Sequence, residues 1–200
     1  MNVHTGLISQ NSAEKLSKTG IDIVSFDIVG DKETINKVYG INKTPQDYLN
    51  SLKILQESGI KYIAPHICVG LNYGNISGEI EALKLIKEIK PYLIVLLALV
   101  PTKNTPMEII KIEPEKIGKI VAITRLMFPS TPISFGCMRP GGISRATLDL
   151  LAFQAGISRI EIPTQSLVRY AIKNGYNIKK INSCCALPAE FESKLGNKER

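Results

Sequence analysis

The sequence predicts an α/β protein built from about six parallel βα units, and two observations support that prediction. First, a glycine ends an amphipathic stretch at four places along the chain: Gly20, Gly59, Gly156 and Gly175. A glycine just past a helix accepts the left-handed backbone with which many helices end. Second, the runs after the first three of these glycines are short and apolar, as in parallel strands that are covered on both faces. Helix and strand therefore alternate along the chain.

Six segments are predicted as strands because they are short, apolar and bounded by polar or turn residues. In chain order they are residues 2–5, 22–28, 61–69, 92–100, 132–138 and 158–162. Residues 92–100 are almost wholly apolar, but they are far fewer than the roughly 20 needed to cross a membrane. They are therefore predicted as a core strand, and no membrane association is expected.

Apolar residues at helical spacing predict helices between these strands. Asn11 or Ser12 is expected to cap a first helix over residues 13–18. Thr44 is expected to cap another that has Pro45 at its first position. Later helices are predicted from apolar stripes beginning at Ile80, Ile117 and Leu148, and the last spans residues 165–174.

No linker or low-complexity segment divides the 200 residues, which predicts a single domain over residues 1–193 followed by a polar tail over residues 194–200. The absence of a leader-like start favours a cytoplasmic location. The net charge of +7 comes mostly from dispersed lysines, and tryptophan is absent. That pattern does not favour nucleic-acid binding. The four cysteines lack C-x-x-C spacing, and they do not indicate a disulfide framework.

Six βα units can form an open sheet or most of a barrel. An eight-unit barrel takes about 250 residues, or about 31 per unit, so six units would occupy nearly this whole chain. The chain is therefore expected to be about three quarters of a barrel that lacks its first two units. The exposed strand edge would be covered by an N-terminal half or a partner subunit. A complete doubly wound sheet is the alternative, and the pattern alone does not decide between them.

In either fold, functional residues belong at the carboxyl ends of the strands. Asp27 there could cap a loop or bind a ribose or substrate hydroxyl. His66 could be a hydrogen-bonded core histidine or a site residue, whereas Arg139 offers a planar fork for a carboxylate or phosphate. Cys68 is interpreted as a small core residue. Near the C-terminus, the Cys184-Cys185 pair could be surface thiols or ligands of a metal cluster.

The strand ends also resemble a known family. The runs His4-Thr5-Gly6-Leu7-Ile8 and Ser25-Phe26-Asp27 are similar to the later barrel strands of radical S-adenosylmethionine enzymes. The likeness is closest to the biotin synthase and lipoyl synthase branch, especially to archaeal biotin synthase homologues. It extends in order through residues 65–71, 101–107 and 125–141, and thus covers nearly the whole chain.

The resemblance implies a partial TIM-type barrel that binds S-adenosylmethionine and a small-molecule or lipoyl-type substrate at its carboxyl rim. It implies that the cofactor is bound by Asp27, Gly70, Leu71, Pro101 and Thr102. It implies that the substrate is bound by His4, His66 and Arg139. Cys137, Cys184 and Cys185 are hypothetical ligands of an auxiliary iron–sulfur cluster. No catalytic residue is assigned.

The sequence departs from the family pattern in two respects. The family's C-x-x-x-C-x-x-C motif, which holds a [4Fe-4S] cluster, does not occur. That cluster would have to come from a missing N-terminal segment or a partner chain. At the positions where biotin synthase has cysteines that bind its auxiliary cluster, this chain has Asn2 and Ala64. Biotin synthase also uses an arginine for that cluster, and this chain has Ser134 at about that position. Sulfur insertion by that route is therefore not expected.

Three functions of different classes remain open. The first is a portion of a radical S-adenosylmethionine enzyme, a transferase in sulfur insertion or cofactor biosynthesis. The second is a noncatalytic binding or scaffold subunit that kept the barrel and lost the cluster. The third is an unrelated phosphate- or nucleotide-binding enzyme. The only glycine-rich candidate for that third function, Arg139-Pro140-Gly141-Gly142, fits neither a P-loop nor a dinucleotide fingerprint.

Overall fold

A computed structural model describes residues 1–192 and contains six strands and eight helices in that range. The strands are β1 Asn2–His4, β2 Ile23–Asp27, β3 Tyr62–Val69, β4 Ile94–Ala98, β5 Ile133–Phe135 and β6 Arg159–Ile160. The helices are α1 Gln10–Ser17, α2 Lys32–Val38, α3 Pro45–Glu57, α4 Glu79–Lys87, α5 Pro114–Met127, α6 Ile143–Gln154, α7 Gln165–Lys173 and α8 Ala189–Glu192. Residue 193 and the predicted polar tail lie outside the described residues.

The six strands form one parallel sheet in the order β1-β2-β3-β4-β5-β6, which confirms the predicted fold class. A doubly wound sheet would reverse its strand order at a switch point. No reversal occurs among the described strands, so each crossover leads to the next strand along. Crossovers of one hand then place the helices on a single face, as in a barrel wall.

The two faces of the sheet differ in what covers them. The outer face packs against the helices in the main core, where Phe26, Leu52, Leu83 and Leu96 are fully buried. The inner face carries the alternate strand residues and a smaller cluster, which contains Ile23, Tyr62, Ala64, Leu93, Val95 and Ala186. All of these except Ala186 come from strands or the residues just before them.

Ala186 belongs to a segment that folds back over the inner face. We call residues 183–192 the C-terminal strap. The Tyr92 hydroxyl donates to the Ala186 carbonyl at 2.5 Å, and Arg159 donates to the Leu187 carbonyl and pairs with Glu192 at 2.7 Å. Because Tyr92 and Arg159 lie at the amino ends of their strands, the strap covers the inner face from that side.

The glycine prediction is confirmed, since all four junction glycines have positive φ, between +74° and +103°. The predicted cap of the first helix was wrong. Helix α1 begins at Gln10, and the Ser9 side chain accepts from the Ser12 amide at 3.3 Å. The pattern also missed α2, a helix of seven residues capped by Asp31. Within residues 1–192, no helix is both long and apolar enough to cross a membrane.

Candidate functional site

Three predicted site residues meet at the carboxyl ends of β1 and β2 and beside them on β3, which we call the open rim: His4, Asp27 and His66. His4 ends β1 and Asp27 ends β2, and both are exposed. Asp27 lies opposite His66 in the parallel register. The rings of His4 and His66 are 5.3 Å apart and tilted by 59°. The rim therefore offers a carboxylate and two imidazoles within a small area.

His66 differs from His4 in being buried within the sheet. Its Nδ1 lies 2.8 Å from the Ala64 carbonyl oxygen, and its Nε2 lies 3.9 Å from the Cys185 sulfur. Burial lowers the pKa of the imidazole, and this outweighs the opposing effects of the Ala64 hydrogen bond and of Asp27. Burial therefore favours the uncharged form of His66.

The Gly70-Leu71 turn follows β3, and the Glu79 side chain binds it by a hydrogen bond. The buried Glu79 carboxylate accepts from the Gly70 amide at 2.7 Å and from the Ser77 amide at 2.9 Å. Gly70 has φ +79°, and a Cβ there would lie 2.3 Å from Cδ1 of Ile112. Glu79 could not be predicted from the sequence, because only the fold reveals that this carboxylate at the start of α4 binds the turn.

The other predicted cofactor-binding residues, Pro101 and Thr102, lie in the exposed loop after β4. The Thr102 hydroxyl donates to the Val100 carbonyl at 3.2 Å, and the Thr102 carbonyl accepts from the Thr105 hydroxyl at 2.7 Å. The loop is thus ordered by its own hydrogen bonds.

Arg139 lies on a second part of the edge, which we call the closed rim: Arg139, Arg145 and Asp149. The Arg139 side chain is fully buried, and its Nε lies 3.3 Å from Asp149 Oδ1. Its terminal nitrogens donate to main-chain carbonyls of Phe135, Gly136, Glu161 and Ile162. Burial lowers the pKa of Arg139 to about 10, although Asp149 acts in the opposite direction. The predicted substrate contact stays a prediction, and it would require the guanidinium to leave these carbonyls.

The cysteines proposed as metal ligands differ in exposure. Cys137 and Cys184 are exposed, whereas Cys185 is half-buried. Burial raises the pKa of the Cys185 thiol to about 12, with smaller contributions from Cys184 and Cys137. Within residues 1–192, no three histidine, cysteine or acidic side chains converge as a metal site requires. The described residues thus do not fit an iron–sulfur cluster, and ligation by these cysteines stays a prediction.

The positions where biotin synthase would carry auxiliary-cluster ligands face the inner side of the sheet. Asn2 Oδ1 accepts from the Ser25 hydroxyl at 3.0 Å. Ala64 packs in the inner-face cluster with Ala186 of the strap. Ser134 is fully buried, and its hydroxyl has no hydrogen-bond partner among the described residues. A hydrogen-bonded pair and packed small side chains thus occupy this region.

Comparison with known proteins adds an independent line of evidence. Residues 96–186 match the family described as "Biotin and Thiamin Synthesis associated domain". The chain is 29% identical over 164 residues to biotin synthase from Coxiella burnetii (strain Dugway 5J108-111), covering 79% of this chain and 49% of that protein. It is 33% identical over 140 residues to biotin synthase from Buchnera aphidicola, covering 67% and 39%. The chain thus spans about half the length, or less, of these relatives.

Solved structures agree with the barrel interpretation of the fold. The FeFe-hydrogenase maturase HydG from Carboxydothermus hydrogenoformans superposes with a TM-score of 0.65 at 19% identity, covering 92% of this chain and 49% of that one. Methylornithine synthase (PylB) gives a TM-score of 0.65 at 18% identity, with coverage of 96% and 60%. At these identities the likeness concerns the fold alone.

Proposed function

Because the chain is a biotin synthase-like portion of the radical S-adenosylmethionine superfamily, we propose that it forms the cofactor- and substrate-binding wall of such an enzyme. The reaction would be a sulfur insertion or another step of cofactor biosynthesis. The observation that supports this most directly is the open rim, where exposed polar side chains lie at the carboxyl edge of a barrel wall.

The described residues fit a nucleoside at this rim. Asp27 presents an exposed carboxylate at the end of β2, which suits the two hydroxyls of a ribose because a charged acceptor strengthens each hydrogen bond. Glu79 occupies the Gly70 amide and Ile112 packs against the Gly70 Cα, so Gly70 would shape the turn that carries Leu71. Leu71, Pro101 and Thr102 would add main-chain contacts from the two neighbouring loops.

The residues of this chain would bind and orient rather than donate electrons. When bound next to a reduced cluster, S-adenosylmethionine supplies a radical that removes hydrogen from an unactivated carbon. His4 and the face of His66 would contact the substrate beside the nucleoside, with Arg139 available only if its carbonyl contacts opened. The strap would exclude water from the amino end of the inner face.

The cluster itself would come from elsewhere. Residues 1–192 offer no converging set of three ligands, and the sequence lacks the C-x-x-x-C-x-x-C motif. We therefore propose an N-terminal segment or partner subunit that supplies the cluster and pairs with β1, the first strand of the sheet. The partial coverage of the relatives is consistent with such a complement.

The first test is equilibrium binding of S-adenosylmethionine to the full chain by isothermal titration calorimetry. We expect saturable binding that Asp27→Asn weakens by about 10- to 100-fold, because hydrogen bonds to a charged group contribute about 1.5–3 kcal/mol each. Asp22→Asn is the matched control, since Asp22 is an exposed carboxylate just before the amino end of the same strand.

Two other outcomes would contradict the proposal. Equal weakening by both variants would mean that Asp27 does not contact the nucleoside. A folded chain without saturable binding, alone and with a copurified partner, would favour the alternative of a noncatalytic scaffold subunit.

A further inference from the structure

We propose that Cys185 is a positioning residue for the open rim, because its thiol donates to Nε2 of His66 and so holds in one orientation a ring whose proton the Ala64 carbonyl keeps on Nδ1. The inference rests on the proposed function only in treating the rim as a ligand site. The contact itself belongs to the folded chain and exists without any ligand.

The tautomer follows from the partners of the two ring nitrogens. The group next to Nδ1 is the Ala64 carbonyl, at 2.8 Å, and a carbonyl oxygen only accepts hydrogen bonds. Nδ1 must therefore carry the proton. In an uncharged ring Nε2 is then an acceptor, and its described neighbour is the Cys185 sulfur at 3.9 Å. A protonated thiol is a weak donor that suits this acceptor.

The strap holds this thiol in place. The two residues after Cys185 are anchored through their carbonyls, Ala186 by Tyr92 and Leu187 by Arg159. On the side facing β5, a Cβ built on Gly136 would lie 3.6 Å from the Cys185 sulfur. The sulfur thus lies over the inner face between β3 and the end of β5.

The two histidines of the open rim differ in whether protein groups engage their ring nitrogens. Both nitrogens of His66 are engaged by protein groups, so its ring is fixed and cannot exchange a proton without breaking a contact. The nitrogens of His4 have no hydrogen bond within residues 1–192, although its ring contacts His66. Of the titratable groups near His66, Asp27 and His4 lie at neighbouring strand ends and Cys185 lies on the strap. A ligand at the rim therefore meets one fixed imidazole and one free imidazole.

The chain contains only two histidines, so nitrogen spectroscopy tests the proposal directly. Long-range proton–nitrogen correlation spectra of the full chain with 15N-labelled histidine identify which nitrogen carries the proton, and His4→Gln assigns the signals. Without ligand, we expect the neutral His66 ring to show only the Nδ1–H tautomer, because the Ala64 carbonyl next to Nδ1 can only accept. Cys185→Ala should shift the Nε2 signal toward that of a free acceptor, while the proton stays on Nδ1 next to the Ala64 carbonyl.

Cys184→Ala is the matched control, because Cys184 precedes Cys185 in the strap and contacts Asn2 instead of His66. A wild-type His66 with its proton on Nε2 would overturn the proposal, even if Cys185→Ala failed to fold. So would His66 signals that respond equally to Cys184→Ala and Cys185→Ala. Since no S-adenosylmethionine is added, failure to bind that cofactor would count against the proposed function alone.

Discussion

The open and closed rims lie on the same edge of one sheet, yet their polar side chains have different surroundings. At the open rim His4 and Asp27 are exposed, and no described hydrogen bond engages their side chains. At the closed rim Arg139 and Asp149 are fully buried and directed at each other and at main-chain groups. A charged residue after a strand is therefore a ligand candidate only where the fold leaves its polar atoms free.

The largest effect should come from the closed rim. Arg139→Met should lower the free energy of unfolding by about 3–5 kcal/mol, because it removes one partner of a buried ion pair and leaves the Gly136 and Glu161 carbonyls without a donor. Guanidinium denaturation followed by circular dichroism measures this. Arg169→Met, at an exposed position on α7, is the control. If both substitutions lower the free energy of unfolding by the same amount, the closed rim is not the stabilising element described here.

A smaller loss is expected beneath the open rim. Gly30→Ala should cost about 1–3 kcal/mol, since the added Cβ would lie 2.0 Å from the Gly78 carbonyl oxygen and 2.4 Å from the Ala82 amide nitrogen. Gly141→Ala should be nearly neutral in the same denaturation experiment, because nothing lies within 4 Å of its Cβ position. Equal costs would mean that the loop after β2 can move away from α4.

Asp31 should contribute less to the free energy of unfolding than the Gly30 position does, and its contribution should depend on pH. Burial raises its pKa, but hydrogen bonds from Thr34 and Ser77 outweigh this and leave the pKa below its usual value. The stabilisation is therefore complete above about pH 4 and is lost as the pH falls through the lowered pKa. Asp31→Ala should cost about 1 kcal/mol at neutral pH through the lost helix cap.

Asp31→Asn separates capping from titration. Asparagine caps nearly as well as aspartate but carries no charge, so this variant should stay stable at neutral pH and lose less stability on acidification. Denaturation midpoints from neutral to acidic pH measure both effects. An acid dependence identical to that of the wild type would rule out this role for the carboxylate.

The smallest effect on stability should come from the open rim itself. His4→Gln and Asp27→Asn should each change the free energy of unfolding by less than about 0.5 kcal/mol, as exposed substitutions usually do. Thermal melts of the two variants, compared with the cofactor titration above, test whether the rim serves binding rather than folding. A loss as large as that of Arg139→Met would remove the distinction between the two rims.

Much of the fold could be predicted because its signals are local. The glycine junctions and apolar runs located β2 within one residue at each end, at Ile23–Asp27 against a predicted 22–28. The structure shortens β5 to Ile133–Phe135, and the Phe135 and Gly136 carbonyls there accept from Arg139. Helix α2 was missed because seven mostly polar residues carry too little periodicity.

The partners of the rim residues could not be predicted from local pattern. Arg139 pairs with Asp149 on α6, and His66 contacts a cysteine 119 residues away. Before the fold is known, nothing distinguishes an arginine that faces a ligand from one that faces carbonyls. The sequence could indicate which residues reach the carboxyl edge, whereas burial determines which of them remain available there.

The strap also affects the order in which the chain folds. Each strand pairs with the next one along, so the β1–β2 register joins residues only 21 apart, Asn2 and Ile23. The strap contact between Asn2 and Cys184 joins residues 182 apart. By the logarithmic dependence of loop closure on length, that contact costs about 2 kcal/mol more closure entropy. The strap should therefore dock after the sheet has formed, and strap substitutions should speed unfolding while leaving the folding rate almost unchanged in stopped-flow experiments.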